Sequence, residues 1–391
     1  MNMCIRRIER ARDFMALAPL WSKLANESGQ LSPFLSYDWF WCCWHGVWPR
    51  YRPEILVMEE AGCPVAIIPL MHWKERLGGL PVRCLGFLEY PSTPMADLLT
   101  LVAHDAVVET FLHHLASRSD WDIVWLQKLP DTSPTLKALE RILPERLAWR
   151  RAGHCLLPYL TISGEWKSSD DSNEQAFKNT HERIHERLAR SGNLSVEEHD
   201  SVDPWSPLFQ ETLDLIRRRS QKDWRASKAA IPRMPEFFSE LTRRATKNGW
   251  LSFWVLKLNN RVIAMEYQLR AHGKALALWT DDDPVYQEFG SRHVLNLAIL
   301  RSFFERGCIH EYGTGPGVKA DRLWRASGSY ETVHLKFYRP SFYSHLLYRI
   351  DRGLSQGLGD VKASRHLVPT APKAMCNRLT KVQGRKNDEK T

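Results

Sequence analysis

The stretch Leu251-Ser-Phe-Trp-Val-Leu-Lys-Leu258, Asn259-Asn260, Arg261-Val-Ile-Ala-Met-Glu-Tyr-Gln-Leu269 decides how the rest of the chain is read. Two runs rich in aliphatic and aromatic residues flank an Asn-Asn pair, a short polar turn. The segment therefore predicts a β-hairpin. The same pattern occurs once earlier, as Glu54-Ile-Leu-Val-Met58, a turn over 59–64, and Val65-Ala-Ile-Ile-Pro-Leu70. Each hairpin is followed by a third strand candidate (82–87 or 275–280) and then a helical stretch (106–117 or 292–306). Each helix leads into one more strand, Asp122-Ile-Val-Trp-Leu126 or Cys308-Ile-His-Glu-Tyr312. A three-strand meander, a crossover helix and a returning strand thus recur about 190 residues apart. Two similar α/β lobes are the expected architecture.

Composition sets the outer limits. A chain of 391 residues, 43% hydrophobic and 25% charged, has material for two to three globular domains and excludes extended disorder or a fibrous design. Its net charge of +9 favours anionic partners, namely phosphorylated cofactors, tRNA or an acidic membrane surface. No apolar run of about 18 residues exists, so no transmembrane helix is expected. Glu9, Arg10, Arg12 and Asp13 break the opening segment, so no secretory signal is expected either. Eight cysteines without a C-x-x-C pair indicate a reduced, cytosolic chain. Tyr37, Trp41, Trp44 and Trp48 recur at helical spacing between a capping Ser36 and Pro49, and are expected to face a core.

Between the lobes, residues 164–172 are polar and predict a linker. Residues 173–190 predict a polar helix; a helix ending at 216–219, a loop over 221–230 and a helix over 235–247 follow. Beyond Phe337 the chain becomes basic and is expected to be irregular, with 378–391 a disordered tail.

Four groups of residues could carry chemistry. His181-Glu182-Arg183-Ile184-His185 matches the zinc-binding H-E-x-x-H pattern, but charged neighbours and the repeated His-Glu-Arg indicate a solvated helix face. Gly290, Ser291, Arg292 and His293 open an apolar helix after the acidic run Asp281-Asp282-Asp283. There a glycine, a capping hydroxyl and unbonded N–H groups would attract phosphate oxygens; the alternative is an ordinary capped helix. Glu311-Tyr312-Gly313-Thr314-Gly315-Pro316-Gly317 forms an open loop after a strand, with Arg322 beyond it. Glu311 could act as a base and Arg322 could hold an anion; the alternative is a glycine-rich turn with a surface ion pair. Arg217-Arg218-Arg219 and Lys222-Asp223-Trp224-Arg225 could meet phosphates, or form a solvated face.

On these residues the chain resembles acyltransferases of the GNAT superfamily, of the CelD type and its FemAB-type relatives. In the first half the resemblance is carried by Ser32-Pro-Phe-Leu-Ser-Tyr-Asp-Trp39, Val65–Leu70 and Ala96-Asp97. In the second half it is carried by Asn259–Ala264, Tyr286–Leu295 and Gly307–Trp324. The resemblance implies an α+β protein of two tandem GNAT-like lobes, each a mixed, mostly antiparallel sheet flanked by helices. The lobes would span 1–163 and 173–345, with a basic, partly disordered extension over 346–391. The resemblance also implies transfer of an acyl group from acetyl-CoA or a longer acyl-CoA, without a metal, to an amine or hydroxyl. The acceptor would be a small molecule or glycan precursor of exopolysaccharide or cell-envelope synthesis. An envelope-synthesis complex would be the partner, and the location cytoplasmic or peripheral at the inner membrane. Phe289, Gly290, Ser291, Arg292 and His293 would hold the coenzyme pyrophosphate. Glu311, with Glu266 and Asp281 behind it, would be the base, Tyr312 would protonate the thiolate, and Trp224, Asp321, Arg322 and Trp324 would meet the acceptor. Where the family has Asp-x-Gly-x-Gly and a Tyr-Lys pair, this chain has Glu311-Tyr-Gly-Thr-Gly315 and Asp321-Arg322; Arg is not an equivalent proton donor. An aminoacyl-tRNA-dependent transferase and a non-catalytic scaffold remain as alternatives.

Overall fold

The computed structural model describes residues 3–47, 49–164, 186–222, 233–316 and 326–357. The first half runs β1 (Met3–Ile8), α1 (Ala11–Met15), α2 (Ala18–Ser28), α3 (Tyr37–Val47), β2 (Arg52–Glu60), β3 (Cys63–Leu77), β4 (Leu80–Phe87), β5 (Leu99–Thr100), α4 (His104–Ala116), β6 (Ile123–Pro130), α5 (Pro134–Ile142) and β7 (Trp149–Thr161). The second runs β8 (Leu194–His199), α6 (Pro207–Lys222), α7 (Met234–Lys247), β9 (Leu251–Leu258), β10 (Arg261–Ala271), β11 (Lys274–Asp282), α8 (Ser291–Arg306), β12 (Glu311–Thr314), β13 (Gly328–Tyr338) and α9 (Phe342–Gly357).

The element order read from the sequence is present twice, as β2-β3-β4-α4-β6 and as β9-β10-β11-α8-β12. Asn259 and Asn260 both take positive φ, the turn that the β9–β10 hairpin requires. In each unit the crossover helix returns the chain to a parallel neighbour: β6 beside β4, and β12 beside β11.

The strands do not form two separate sheets. They make one mixed sheet in the order β1-β2-β3-β4-β6-β13-β7-β12-β11-β10-β9-β8, with β5 on β3. The two units exchange strands at its centre. β7, which closes the first half, pairs antiparallel with β12 of the second, while β13 pairs antiparallel with β6 of the first. β7 and β13 also pair with each other from Gly328↔Tyr159 to Phe337↔Trp149. This exchange gives β6 and β12 partners and leaves neither unit with an open inner edge.

Helices cover both faces. On one, α2, α3, α6 and α7 bury an aromatic-rich core that includes Trp21, Trp39, Phe237, Phe238, Tyr267 and Trp279 and is continuous across both units. Ser36 caps α3, its hydroxyl accepting from the Trp39 N–H at 3.1 Å. Trp44 is buried in this core, with Tyr37 and Trp41 packed against it and Trp48 outside the described residues. On the opposite face α4 and α5 cover the first unit and α8 the second.

Two expectations change. The stretch beyond Phe337 is not irregular at first: β13 runs to Tyr338, and α9 follows from Phe342, crossing the expected boundary at 345. Buried Ser344, Leu347 and Asp351 give that helix its inner face. Asp351 anchors it to the sheet by accepting from Arg150 at 2.7 Å, Lys336 at 3.2 Å and Tyr338 at 2.5 Å. The helix expected to end at 216–219 continues to Lys222. The expected linker, and the helix over 173–190 as far as 185, lie outside the described residues.

The first unit also holds a fully buried carboxylate that sequence patterning did not single out. Glu54 accepts from Arg118 at 3.0 Å and lies 2.5 Å from His72 Nε2, and Arg7 pairs with it as well. Burial alone would raise its pKa, but the His72 and Arg118 hydrogen bonds outweigh burial and hold it at about 2.

Candidate functional site

β11 and β12 run parallel only from Lys274↔Glu311 to Ala277↔Thr314. The last bond between the two segments is the Gly315 N–H donating to the Ala277 carbonyl at 2.8 Å. A side chain at 315 would meet that carbonyl at 2.9 Å, so glycine permits the approach. Just beyond, β11 bulges: Tyr267 faces Trp279 while Gln268 faces Ala277, leaving Leu278 as the extra residue. Among the described residues no strand pairs with β11 on this side past Ala277. The described pairing of the two parallel strands ends there, and α8 follows β11 in the chain.

A buried hydrogen-bond chain runs along the α8-facing side of the sheet. The Tyr312 hydroxyl, on β12, donates to Glu266 Oε1, on β10, at 2.6 Å. It reaches across β11, where Ala275 and Ala277 on that face are small enough to leave room for the ring. Asn296 of α8 donates to the Tyr312 oxygen at 3.2 Å, and Gln268 Nε2 donates to Glu266 Oε1 at 2.6 Å. Gln268 Oε1 accepts from Ser252, which also accepts from the Trp254 indole at 2.9 Å. Arg306 holds Glu198 at the outer end of the chain, where Glu198 Oε1 lies 3.1 Å from the Ser252 hydroxyl as an alternative acceptor to Gln268. Asn296, Gln268 and Ser252 were not singled out in the sequence. Their signal was a polar residue inside an otherwise apolar run, as in Val-Leu-Asn-Leu-Ala-Ile-Leu and Met-Glu-Tyr-Gln-Leu.

Gly290 takes the left-handed conformation and occupies the cap position of α8, which has no side-chain cap. Ser291 was expected to cap. It is instead the first helical residue, and its hydroxyl is completely buried without a hydrogen-bond partner. Thr314, at the end of β12, is 1% exposed and its hydroxyl likewise lacks a partner. Arg292 is paired with Asp282, so its charge is already balanced, while its Nε is buried and unbonded. His293 is exposed, and its N–H turns back to the Gly290 carbonyl at 2.8 Å. Phe289 packs against the α8 core, with the Arg187 guanidinium 4.5 Å above its ring. Asp283 is bound by Arg261 at 2.9 Å and Arg218 at 3.1 Å. The acidic run before the helix thus offsets the arginines around it.

The remaining residues fall elsewhere. Glu311 faces Lys274 about 10 Å behind the point where the strands part, and strand alternation turns it away from Tyr312 to the other face. There it accepts from Lys274 at 3.0 Å and Tyr330 at 2.6 Å. Asp281 pairs in register with Met265 rather than Glu266, on that same far side, and accepts from the Asp282 N–H at 3.0 Å. The structure therefore brings Tyr312 and Glu266 together and does not bring Glu311 or Asp281 to them. Trp224, Asp321, Arg322, Trp324 and the His181–His185 motif lie outside the described residues. Arg217 pairs with Asp214 at 2.6 Å. Among the described residues no group of three or more His, Cys, Asp or Glu side chains could hold a metal. No described helix is long and apolar enough to cross a membrane.

Among the described residues, the chain covers the corresponding end of the parallel pair in the first unit. β4 and β6 pair at Cys84↔Ile123 and Leu85↔Val124 and then part, but the chain after β4 fills the gap. Ala96 donates to the Lys128 carbonyl at 2.9 Å, β5 pairs with β3, and Phe87 and Leu98 join the core beneath α4.

Residues 175–321, which contain β9 to β12 and α8, match the family model described as an acetyltransferase (GNAT) domain. The second half of the chain therefore carries a GNAT acetyltransferase domain, set in a mixed α+β fold with an extended sheet. No curated protein matches the chain in sequence. Among solved structures, a conserved protein of unknown function from Bacteroides thetaiotaomicron is similar over 86% of this chain and 100% of its own, at 13% identity and a TM-score of 0.54. L-PGS from Bacillus licheniformis is similar over 88% of this chain and 96% of its own, at 9% identity and a TM-score of 0.53. At such identities the likeness is one of fold.

Proposed function

We propose that the protein transfers an acyl group, acetyl or longer, from acyl-CoA to an amine or hydroxyl, with the chemistry confined to the cleft between β11 and β12. The two halves are read as tandem GNAT-like lobes, of which the second is catalytic and the first has its cleft filled. The observation that carries this reading is the pairing of a parted pair of parallel strands with a buried Tyr312–Glu266 couple beside them, inside the matched domain. The unpartnered hydroxyls of Ser291 and Thr314 support it, because buried polar groups without partners mark a place where a ligand supplies them.

The acceptor attacks the thioester carbonyl and loses a proton to Glu266. The Tyr312 hydroxyl gives its proton to the departing thiolate, and Glu266 then returns a proton to Tyr312 through their hydrogen bond. Backbone N–H groups at the β11 bulge stabilise the oxyanion. The products are the acylated acceptor and the free thiol, so protons balance over one turnover. Glu311 and Asp281 are assigned no proton-transfer role, since both face away from this couple. An acceptor from exopolysaccharide or cell-envelope synthesis, in the cytoplasm, rests on the CelD-type resemblance of Asn259–Ala264, Tyr286–Leu295 and Gly307–Trp324.

The test separates turnover from binding. Glu266→Gln keeps an oxygen to accept from Tyr312 and Gln268 but cannot take a proton. Acyl-CoA affinity is expected to persist while thiol release falls at least about a hundredfold. Undiminished turnover contradicts the assignment. Binding of tRNA in place of acyl-CoA contradicts the donor class.

A further inference from the structure

We infer that α9 is a docking surface for an anionic lipid bilayer, a role independent of the acyl-transfer reading. α9 has two opposed faces. Ser344, Leu347 and Asp351 point inward and tie it to the sheet. Phe342, Leu346, Arg349 and Gly353 fall within about 60° of one another on the opposite side of the helical wheel. Phe342 is 90% exposed and Leu346 41% exposed, and exposed Arg349 and Arg352 flank them. Asp351, the only acidic residue of the helix, is buried in its ion pairs, so the outward side carries no negative charge.

A large aromatic side chain left in water costs free energy unless something covers it, and the charge pattern selects the cover. An outward Phe and Leu edged by arginines fit a surface that is apolar just below an anionic layer: the two side chains insert and the guanidiniums meet lipid phosphates. The chain that follows adds to this charge. Residues 358–391 contain five Lys and three Arg against two Asp and one Glu, a net +5 of the whole protein's +9. One or two inserted side chains alone bind a bilayer weakly, and basic residues near them in sequence supply the second attraction that stable anchoring needs.

The full-length protein would be sedimented with vesicles of phosphatidylcholine alone, and with vesicles containing added phosphatidylglycerol, at low and high salt. Binding is expected only with phosphatidylglycerol and only at low salt. Phe342→Ser with Leu346→Ser, and separately Arg349→Glu with Arg352→Glu, should each reduce the bound fraction at least about fivefold. These side chains are exposed, so thermal melting of both variants should match the parent, which keeps a loss of binding from being a loss of fold. Absence of sedimentation, sedimentation with phosphatidylcholine alone, or variants that bind as well as the parent would each overturn the proposal. So would a concentration-dependent dimer dispersed by Phe342→Ser with Leu346→Ser, because a second copy would then be the cover.

Discussion

The Tyr312 hydroxyl meets the Glu266 carboxylate at 2.6 Å across an intervening strand that has the small Ala275 and Ala277 on that face. The two residues come from β12 and β10, so their meeting depends on the parallel register of β11 with β12 and on the antiparallel register of β10 with β11. The proposed chemistry and the packing thus meet at one place, the floor of the α8-covered side.

Removing the phenol separates its two roles. Tyr312→Phe keeps the ring but loses the bonds with Glu266 and Asn296. Stability should fall by about 1–2 kcal/mol, and turnover at saturating acyl-CoA by roughly a hundredfold or more. Steady-state thiol release beside thermal melting checks both, and an unchanged rate would remove Tyr312 from the chemistry.

Filling the floor should be felt directly. Ala277→Leu adds bulk beside the Tyr312 ring and is expected to cost about 1–3 kcal/mol. Denaturant titration reads the cost; a neutral result would mean that the floor is not close-packed.

Glu54 makes stability depend on pH. Its folded pKa of about 2 lies below the ordinary 4.5, so the native state binds this proton less readily than the unfolded chain does. The stabilisation is complete above about pH 4.5 and is lost as pH falls toward 2. Glu54→Gln removes that dependence and leaves Arg7 and Arg118 without their shared carboxylate, so it should destabilise by about 3–5 kcal/mol at neutral pH. Denaturant midpoints for parent and variant between pH 3 and pH 7, a range set by these two pKa values, provide the comparison. Parallel curves would contradict the role given to Glu54.

The strand exchange predicts that neither half folds alone. A chain of residues 1–164 ends with β7 but lacks β13, the neighbour of both β6 and β7. Produced separately, the halves should aggregate or remain unfolded; co-expressed, they should purify together. A monomeric 1–164 with a cooperative melt would contradict this.

Much of the fold was legible because it is local. The Asn259-Asn260 turn, the apolar crossover helices and the meanders each follow from short-range pattern. The β7–β13 exchange was not legible, because those strands pair with elements far away in sequence and nothing in their own residues names the partner. α9 was hidden by its arginines, which mask an inner face made of only a few anchoring side chains. At the site, Glu311 and Tyr312 are adjacent in sequence and face opposite sides of the sheet. Only the register against β11 tells which of them meets Glu266. Ser291 was read as a cap because Ser favours that position, but Gly290 reaches the left-handed conformation there at no steric cost and leaves the hydroxyl facing inward.

The central claim, that the cleft between β11 and β12 takes acyl-CoA, is tested most directly by calorimetric titration with acetyl-CoA of the parent protein and of Ser291→Ala with Thr314→Val. The two buried hydroxyls have no protein partner, so their removal should leave thermal stability unchanged or slightly raised while weakening binding at least about tenfold. Micromolar binding by the parent, lost or weakened in the variant, is the expected result. No binding by the folded parent, or equal binding by both, would contradict the account.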